Sequence, residues 1–178
     1  MVFYYLLELF RRAAGWTSPG RNRSRKDRHS GRLGSRDGLS MRRWFLSFNS
    51  QDVGLATEFK TALSLRDSRA HIFFAPQGLR AGGYWQPTLA EEIAQATAFI
   101  LLVGEKGLGS WQVLEYYEAL DKRVRTPDFP IVIIMLEGQK APGLPFLRQL
   151  QWIVTPDPAS EHSLVQVMYA VAGQDTQR

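Results

Sequence analysis

Two short runs of consecutive apolar residues constrain the fold of this chain more than any other feature. Residues Ala98–Val103 have the sequence AFILLV, and residues Ile131–Leu136 have the sequence IVIIML. Both runs are much shorter than the roughly 20 residues that a membrane-spanning helix requires. Unbroken apolar sequence of this length is typical of parallel strands that are buried on both faces of a sheet. We therefore predict that these runs are central strands of a parallel sheet.

The rest of the pattern alternates strands with helices. Short apolar and aromatic runs predict three further strands, and apolar residues at a helical period predict four helices. The predicted strands are Arg43–Phe48, Ala70–Phe74 and Gln151–Val154, and the predicted helices are Leu55–Leu65, Leu89–Ala96, Trp111–Arg123 and Ser163–Ala172. Such alternation predicts an α/β protein with a five-stranded parallel sheet and helices on both faces.

Length and composition limit the classes of function. The chain has 178 residues, of which 44% are hydrophobic, enough for one domain with a substantial core. It contains no cysteine, which excludes disulfides, thiolate catalysis and cysteine-ligated metals. The three histidines, His29, His71 and His162, are far apart and show no metal-ligand spacing. We therefore expect no bound metal and no resident cofactor.

The basic character of the chain comes from one short segment. Residues 17–43 hold nine Lys/Arg and two Asp/Glu, a net charge of +7. Residues 44–178 hold eleven Lys/Arg and fourteen Asp/Glu, a net charge of −3. A nucleic-acid-binding function would rest on the basic segment alone, so we expect no specific nucleic-acid partner.

Residues 1–40 form an extension before the first predicted strand. The apolar start at residues 1–16 is too short to span a bilayer, and it lacks the basic region that precedes a signal-peptide core. An amphipathic helix that contacts a membrane surface is one alternative, but we favour a disordered linker rich in Gly, Ser and Arg. We expect a cytoplasmic protein with this extension, a folded domain at residues 41–173 and a tail at residues 174–178.

The sequence GEKGLGSWQVLE (Gly104–Glu115) directly follows the first apolar run. It predicts a glycine-rich turn and then a helix, with Ser110 in the position that favours an N-cap. Trp111 and Glu115 are four residues apart, so on a helix they lie on one face. A carboxylate beside the carboxyl end of a strand occupies the place where open α/β folds bind ligands. We interpret the glycines as turn formers, since no GxGxxG fingerprint is present, and Lys122 as part of a solvated helix face.

Four segments, taken in this order and spacing, resemble a TIR (Toll/interleukin-1 receptor) domain of the bacterial type. FLSFNSQD (Phe45–Asp52) is similar to the opening box of the family, and IFFAPQGLRAGGYW (Ile72–Trp85) is similar to its second strand and BB loop. GLGSWQVLE (Gly107–Glu115) matches the SW-x-x-x-E helix of NAD-cleaving members. PFLRQLQWI (Pro145–Ile153) is similar to a late segment of bacterial members. The resemblance covers about residues 43–172 and implies a flavodoxin-like fold.

The resemblance also implies a site and a substrate. Glu115 takes the position of the catalytic glutamate, and Tyr84 that of an aromatic residue at the end of the BB loop. Phe48 and Asn49 follow the first strand and would border the same crevice as Trp111. The implied substrate is NAD or NADP.

Self-association is a further implication of the resemblance. Activity in the family usually depends on TIR–TIR assembly through the BB loop, which corresponds here to Pro76 to Tyr84. The trigger would come from a separate sensor protein or from assembly of copies. Bacterial members often act in anti-phage defence, so we expect that role as well.

The chemistry of NAD is compatible with a single carboxylate. The leaving group is a cationic pyridinium that departs as neutral nicotinamide, so no general acid is needed, whereas ordinary glycosidases use two carboxylates. Glu115 alone could bond the ribose hydroxyls and stabilise the developing positive charge. We therefore predict an NAD glycohydrolase that releases nicotinamide and either ADP-ribose or a cyclic isomer.

Other interpretations stay open at this point. One alternative is a non-catalytic scaffold that signals by binding other TIR domains. This alternative is favoured by three residues that differ from those common in catalytic members, Ala75, Asn49 and Gln112. The SW-x-x-x-E match favours the enzyme. A nucleoside-transferring enzyme of related fold is a third interpretation. Glu115 could also be an ordinary solvated helix carboxylate. Ser47 is a conceivable nucleophile, but no histidine is placed to activate it.

Overall fold

Strands and helices alternate throughout the part of the chain that the structure describes. This computed structural model describes residues 41–74 and 86–172, with the backbone alone for residues 86–88. Three predicted segments lie outside the described residues and stay predictions: the extension at residues 1–40, the BB loop at Pro76 to Tyr84, and the tail at residues 174–178.

Every predicted strand and helix is present, with ends that differ by three residues or fewer from the prediction. The strands are β1 (Arg42–Phe48), β2 (Ala70–Phe74), β3 (Ala98–Val103), β4 (Ile131–Leu136) and β5 (Gln151–Thr155). The helices are α1 (Val53–Arg66), α2 (Gln86–Gln95), α3 (Ser110–Arg125) and α4 (Glu161–Ala172). Short 3₁₀ turns at Ser50–Asp52 and Leu147–Gln149 precede α1 and β5.

The five strands form one parallel sheet in the order β2-β1-β3-β4-β5. This is the strand order of flavodoxin-like folds. The structure therefore confirms the predicted fold class.

Each face of the sheet has its own apolar core, because successive side chains of a strand point to opposite faces. On one face α1 and α4 pack against Trp44 and Leu46 of β1. On the other face α2 and α3 pack against Phe45 of the same strand. All six residues of β3 are buried, since helices cover both of its faces. This double burial explains why the sequence of β3 contains no polar residue.

The order in which the chain adds strands to the sheet reverses between β1 and β3. Strand β1 leads through α1 to the edge strand β2, whereas β3 leads through α3 to β4 on the other side. The helices that follow these two neighbouring strands lie on opposite faces. Folds of this kind bind ligands at the carboxyl ends of two such strands, which are β1 and β3 here.

A lysine that we predicted to lie on a solvated helix face connects helices α2 and α3 by hydrogen bonds. Lys122 of α3 donates from Nζ to the carbonyl oxygens of Ile93 (3.0 Å), Ala94 (2.8 Å) and Ala96 at the end of α2. Its ammonium also lies 4.4 Å from the ring centroid of Phe129. The prediction of a solvated lysine is wrong, because a cation at this position satisfies the carbonyl groups that a helix end leaves without partners.

The loops after β1 and β3 approach each other closely at Gly104. The buried Asp52 carboxylate accepts from the backbone N–H of Lys106, with both oxygens 3.2 Å away. A Cβ atom on Gly104 would lie only 2.6 Å from Cγ of Asp52 and 3.0 Å from its Cβ. Only glycine therefore lets the two loops meet in this way.

We predict that Gly104→Ala destabilises the fold by about 1–3 kcal/mol, because the added methyl must displace a buried carboxylate. Urea denaturation of the variant and the wild type measures this loss. In an Asp52→Gly background the same substitution should cost much less, since the colliding atoms are gone. An equal cost in both backgrounds would show that the close approach is not the reason.

Candidate active site

At the carboxyl end of strand β1, two successive side chains lie on opposite faces of the sheet. Ser47 is buried on the face that α3 covers, the same face as Phe45. Phe48, the next residue, packs on the face of α1 and stacks against Phe74 with ring centroids 4.4 Å apart. The alternation of the strand therefore places Phe48 on the other face of the sheet from α3.

Asn49 connects the turn after β1 to the loop after β3. Its Oδ1 accepts from the backbone N–H of Gln51 at 3.1 Å. Its Nδ2 donates to the carbonyl oxygens of Lys106 and Gly107, each 3.3 Å away. Gly107 has a φ of +66°, the left-handed conformation that glycine adopts most readily. The prediction that this glycine forms a turn is confirmed.

Helix α3 begins next to this loop, and its N-cap is Gly109, with Ser110 as the first helical residue. The predicted N-cap, Ser110, is thus wrong by one position. Gly109 has no side chain to accept from the helix, and the Gln112 Oε1 accepts from the Gly109 N–H at 2.8 Å instead. Gln112 also donates from Nε2 to the carbonyl oxygen of Leu102 at 2.8 Å. This buried amide therefore joins the start of α3 to β3.

Glu115 lies on the buried side of α3 and meets Ser47 of β1. The Ser47 hydroxyl donates to Oε2 of Glu115, with the two oxygens 2.5 Å apart. Glu115 is 8% exposed and Ser47 is 1% exposed. The alternative that Glu115 is an ordinary solvated carboxylate is therefore wrong.

Burial raises the pKa of Glu115 from 4.5 to about 7, because loss of water penalises the ionised carboxylate more than the neutral acid. The Ser47 hydroxyl acts in the opposite direction, since it stabilises the anion. Among the described residues, no charged side chain contributes to this shift. Both protonation states of Glu115 are therefore populated near pH 7.

A carboxyl group with a pKa near 7 can act either as an anion or as an acid under the same conditions. As an anion it stabilises positive charge on an adjacent sugar ring, and as an acid it protonates a neutral leaving group. Both roles suit the cleavage of a bond to an anomeric carbon. A single carboxyl group with this pKa could therefore support such a cleavage.

The other predicted site residues have different positions. Trp111 begins the same helical face as Glu115 but is 49% exposed, at the outer margin of the site. Asn49 lies in the turn after β1 and bonds the loop that leads into α3. Tyr84 lies outside the described residues. The structure therefore brings Asn49 and Glu115 to the same edge of the sheet and leaves Phe48 facing α1.

Sequence reasoning missed three residues that build the site: Ser47, Asp52 and Gln112. Ser47 was considered as a nucleophile, yet its partner is the carboxylate of Glu115. The only sequence signal for it was a polar residue inside an apolar strand, which indicates a buried hydroxyl in need of a partner. Asp52 gave no comparable signal, because its partner is a backbone group of a distant segment. For Gln112 the available signal was local, since a glutamine three residues after an N-cap is typical of a helix start.

The described part of the chain offers no cluster of three His, Asp or Glu side chains that could hold a metal ion. Within the same residues, none of the helices combines the length and the apolar character needed to cross a membrane.

Comparison with known proteins places the chain in a family. Residues 45–167 match the model of the TIR domain, about two thirds of the chain. The chain therefore belongs to the TIR-domain family, and the resemblance found in the sequence is confirmed.

A comparison with solved structures concerns the fold alone. The chain is similar to the Clostridium botulinum CMP N-glycosidase BcmB, with a TM-score of 0.50 and 14% identity. The similarity covers 72% of this chain and 99% of that chain. No curated protein matches the chain significantly.

We predict that Glu115→Gln stabilises the protein above pH 7 and has little effect at pH 5. The unfolded chain ionises this carboxyl near pH 4.5 and the folded chain near pH 7, so the free energy of unfolding falls between these values and is constant above them. Because the amide cannot ionise, the variant should gain about 3 kcal/mol at pH 8.5.

Urea denaturation at pH 5 and pH 8.5 measures this difference. Glu58→Gln, which removes an exposed carboxylate on α1, is the matched control. A gain at Glu115 that does not depend on pH would contradict the buried, proton-linked carboxyl group.

Proposed function

We propose that this TIR domain is an NAD glycohydrolase that cleaves the bond between nicotinamide and ribose, with Glu115 as its catalytic carboxylate. The observation that supports this most is the buried contact between Glu115 and Ser47. It lies beside the carboxyl ends of β1 and β3, the part of the sheet where such folds bind ligands. The other product is ADP-ribose or its cyclic isomer.

The reaction requires one bond to break and one to form at C1′ of the ribose. The electron pair of the C1′–N bond passes to the pyridinium nitrogen, and nicotinamide leaves without taking up a proton. The ionised Glu115 accepts a hydrogen bond from a ribose hydroxyl and stabilises the positive charge of the oxocarbenium ion. Water then adds to C1′ and releases a proton, which gives ADP-ribose. Attack by an adenine nitrogen in place of water gives the cyclic isomer.

Other residues would complete the binding site. Asn49 holds the loop that leads into α3, the helix of Glu115, and Trp111 would form a wall of the crevice with its exposed ring. Phe48 would border the crevice only from the side of α1. Tyr84, in the BB loop, would stack against the nicotinamide. NAD and NADP are both candidate substrates.

Under this proposal, the enzymatic activity also depends on the assembly of several copies of the chain. The BB loop, Pro76 to Tyr84, would contact a neighbouring TIR domain and complete the site. A separate sensor protein or a local rise in concentration would then start NAD cleavage. Such a switch would suit a role in bacterial anti-phage defence.

We predict that Glu115→Ala and Glu115→Gln lower the rate of nicotinamide release by about a hundredfold to a thousandfold, because the developing charge loses its counter-ion. The assay uses the full chain with NAD and NADP at several protein concentrations up to the highest soluble one. Glu58→Gln, on the opposite face of the sheet, should retain wild-type activity.

This assay also separates the enzyme from the alternative of a non-catalytic TIR scaffold. A scaffold would release no nicotinamide at any concentration, while still forming assemblies that light scattering detects. Full turnover by the correctly folded Glu115 variants would exclude Glu115 as the catalytic group.

A second candidate is an N-glycosidase that acts on nucleotides with a neutral base. Two observations favour it: the pKa of Glu115 near 7 and the fold shared with a CMP N-glycosidase. A neutral base leaves as an anion unless it is protonated. Glu115 would therefore have to act as an acid on such a substrate, and not only as an anion.

We predict opposite pH profiles for the two candidates. For NAD cleavage, kcat/KM should rise about tenfold per pH unit up to pH 7 and then level off, because the free enzyme must be ionised at Glu115. For CMP, kcat/KM should fall above pH 7, because the acid form is required. Measurement of both substrates from pH 5 to pH 9 decides between them, and a flat profile would contradict both roles for Glu115.

A further inference from the structure

Ser47 of β1 and Glu115 of α3 form a buried hydrogen bond between two elements that are distant in sequence. Ser47 is the penultimate residue of β1, and it lies opposite Leu101 of β3 in the register of the sheet. Because alternate side chains share a face, its hydroxyl points to the side of α3, as Phe45 does. Glu115 reaches it from the buried side of α3.

We propose that Ser47 is a positioning residue that holds the Glu115 carboxylate in one orientation toward the ribose of a bound nucleotide. The assignment of a ribose ligand rests on the proposed function, whereas the contact itself does not. Ser47 touches the carboxylate and not the reacting bond, so it acts through Glu115.

The geometry explains how one hydroxyl can have this effect. A glutamate side chain has several rotatable bonds, and its terminal torsion is broad and not confined to staggered positions. A hydrogen bond to Oε2 sets this last torsion, and thereby the plane of the carboxylate and the direction of Oε1. Without the hydroxyl, the carboxylate would rotate within its pocket, and catalytic geometry tolerates little displacement.

The electrostatic surroundings give Ser47 a second effect on the same group. Several charged residues lie on neighbouring elements, yet none is a cause of the pKa shift of Glu115. They are Arg43 of β1 with its partner Glu92 of α2, Asp52 after β1, and Glu105 and Lys106 after β3. Within the described residues, the Ser47 hydroxyl is thus the specific interaction that opposes burial and favours the ionised form.

The test compares Ser47→Ala, which removes the hydroxyl, with Ser47→Thr, which keeps it. Ser47→Cys, with a weaker donor of similar shape, is a second variant that lacks the hydroxyl without leaving a void. Ser163→Ala is the matched control, because Ser163, near the start of α4, is equally buried and its hydroxyl donates to the hydroxyl of Thr155 at the end of β5. All variants are made in the full chain.

The first measurement is the pKa of Glu115. It is determined by a pH titration of the ¹³C NMR signal of the labelled side-chain carboxyl, and the signal is assigned by its absence in Glu115→Gln. Ser47→Ala should raise this pKa by about one to two units, since a hydrogen bond to a charged group is lost. Ser47→Cys should raise it by less, and Ser47→Thr and Ser163→Ala should leave it unchanged.

The second measurement is the pH profile of nicotinamide release. In Ser47→Ala the midpoint should move to higher pH together with the NMR pKa, with about a tenfold loss of kcat/KM at pH 7. Ser47→Thr should restore the wild-type midpoint. A parallel shift in both measurements supports the proposal.

Two results would overturn it. One is a pKa of Glu115 that does not change in Ser47→Ala and Ser47→Cys. The other is a lower rate at every pH with an unchanged midpoint, which a merely structural role would produce. If the wild type releases no nicotinamide, the proposed function fails, and the NMR titration still decides whether Ser47 controls the carboxyl group.

Discussion

A parallel sheet that is covered on both faces leaves almost no place for an ionisable group, and this constraint determines where the site lies. Along β3 every residue is buried, and the two helical layers exclude water from both sides. Among the described residues, the buried acidic side chains lie at the ends of the strands: Asp67 precedes β2, whereas Asp52 and Glu115 lie at the carboxyl edge. At that edge the hydroxyl of Ser47, the described partner of Glu115, offsets part of the cost of burial. A pKa near 7 is the result of that balance.

The loops around the site are held by a small set of polar contacts between segments that are distant in sequence. Asp52 and Asn49 both bind the backbone of the loop after β3. Gly104 permits the approach, since any larger residue would collide with Asp52. In the last turn of α3, Lys122 ties this helix to the end of α2. Together these contacts hold both ends of α3 in place, which the geometry of the proposed site requires.

On the proposed function, the protonation state of one residue separates two kinds of nucleotide chemistry. NAD brings its own positive charge to the leaving group and needs only an anion beside the ribose. A nucleotide with a neutral base needs a proton as well. The same buried glutamate can meet either need, because both of its forms are present near neutral pH. Family membership and fold are compatible with both, so substrate choice depends on contacts with the base and on groups that hold the phosphates.

The amino-acid sequence determined the elements and the principal residue of the site. Unbroken apolar runs predicted β3 and β4, the alternation with helical patterns predicted a parallel sheet, and the SW-x-x-x-E segment indicated Glu115. These features are local, since each depends on residues within about two turns of one another. The N-cap prediction at Ser110 was wrong by one position, because Gln112 accepts from the N–H of Gly109 and the helix begins one residue earlier. The solvated Lys122 was wrong because its partners on α2 are not local.

Only the tertiary structure decided which groups meet Glu115. Ser47 and Glu115 are far apart in the chain, and their contact depends on the register of β1 against β3 and on the packing of α3 over both. The alternation of side chains along β1 turned Phe48 away from α3, because it is adjacent to Ser47 in the strand. Burial of the carboxylate, and with it the pKa, follows from how closely these layers pack, and packing between distant segments cannot be read from the pattern of any one of them.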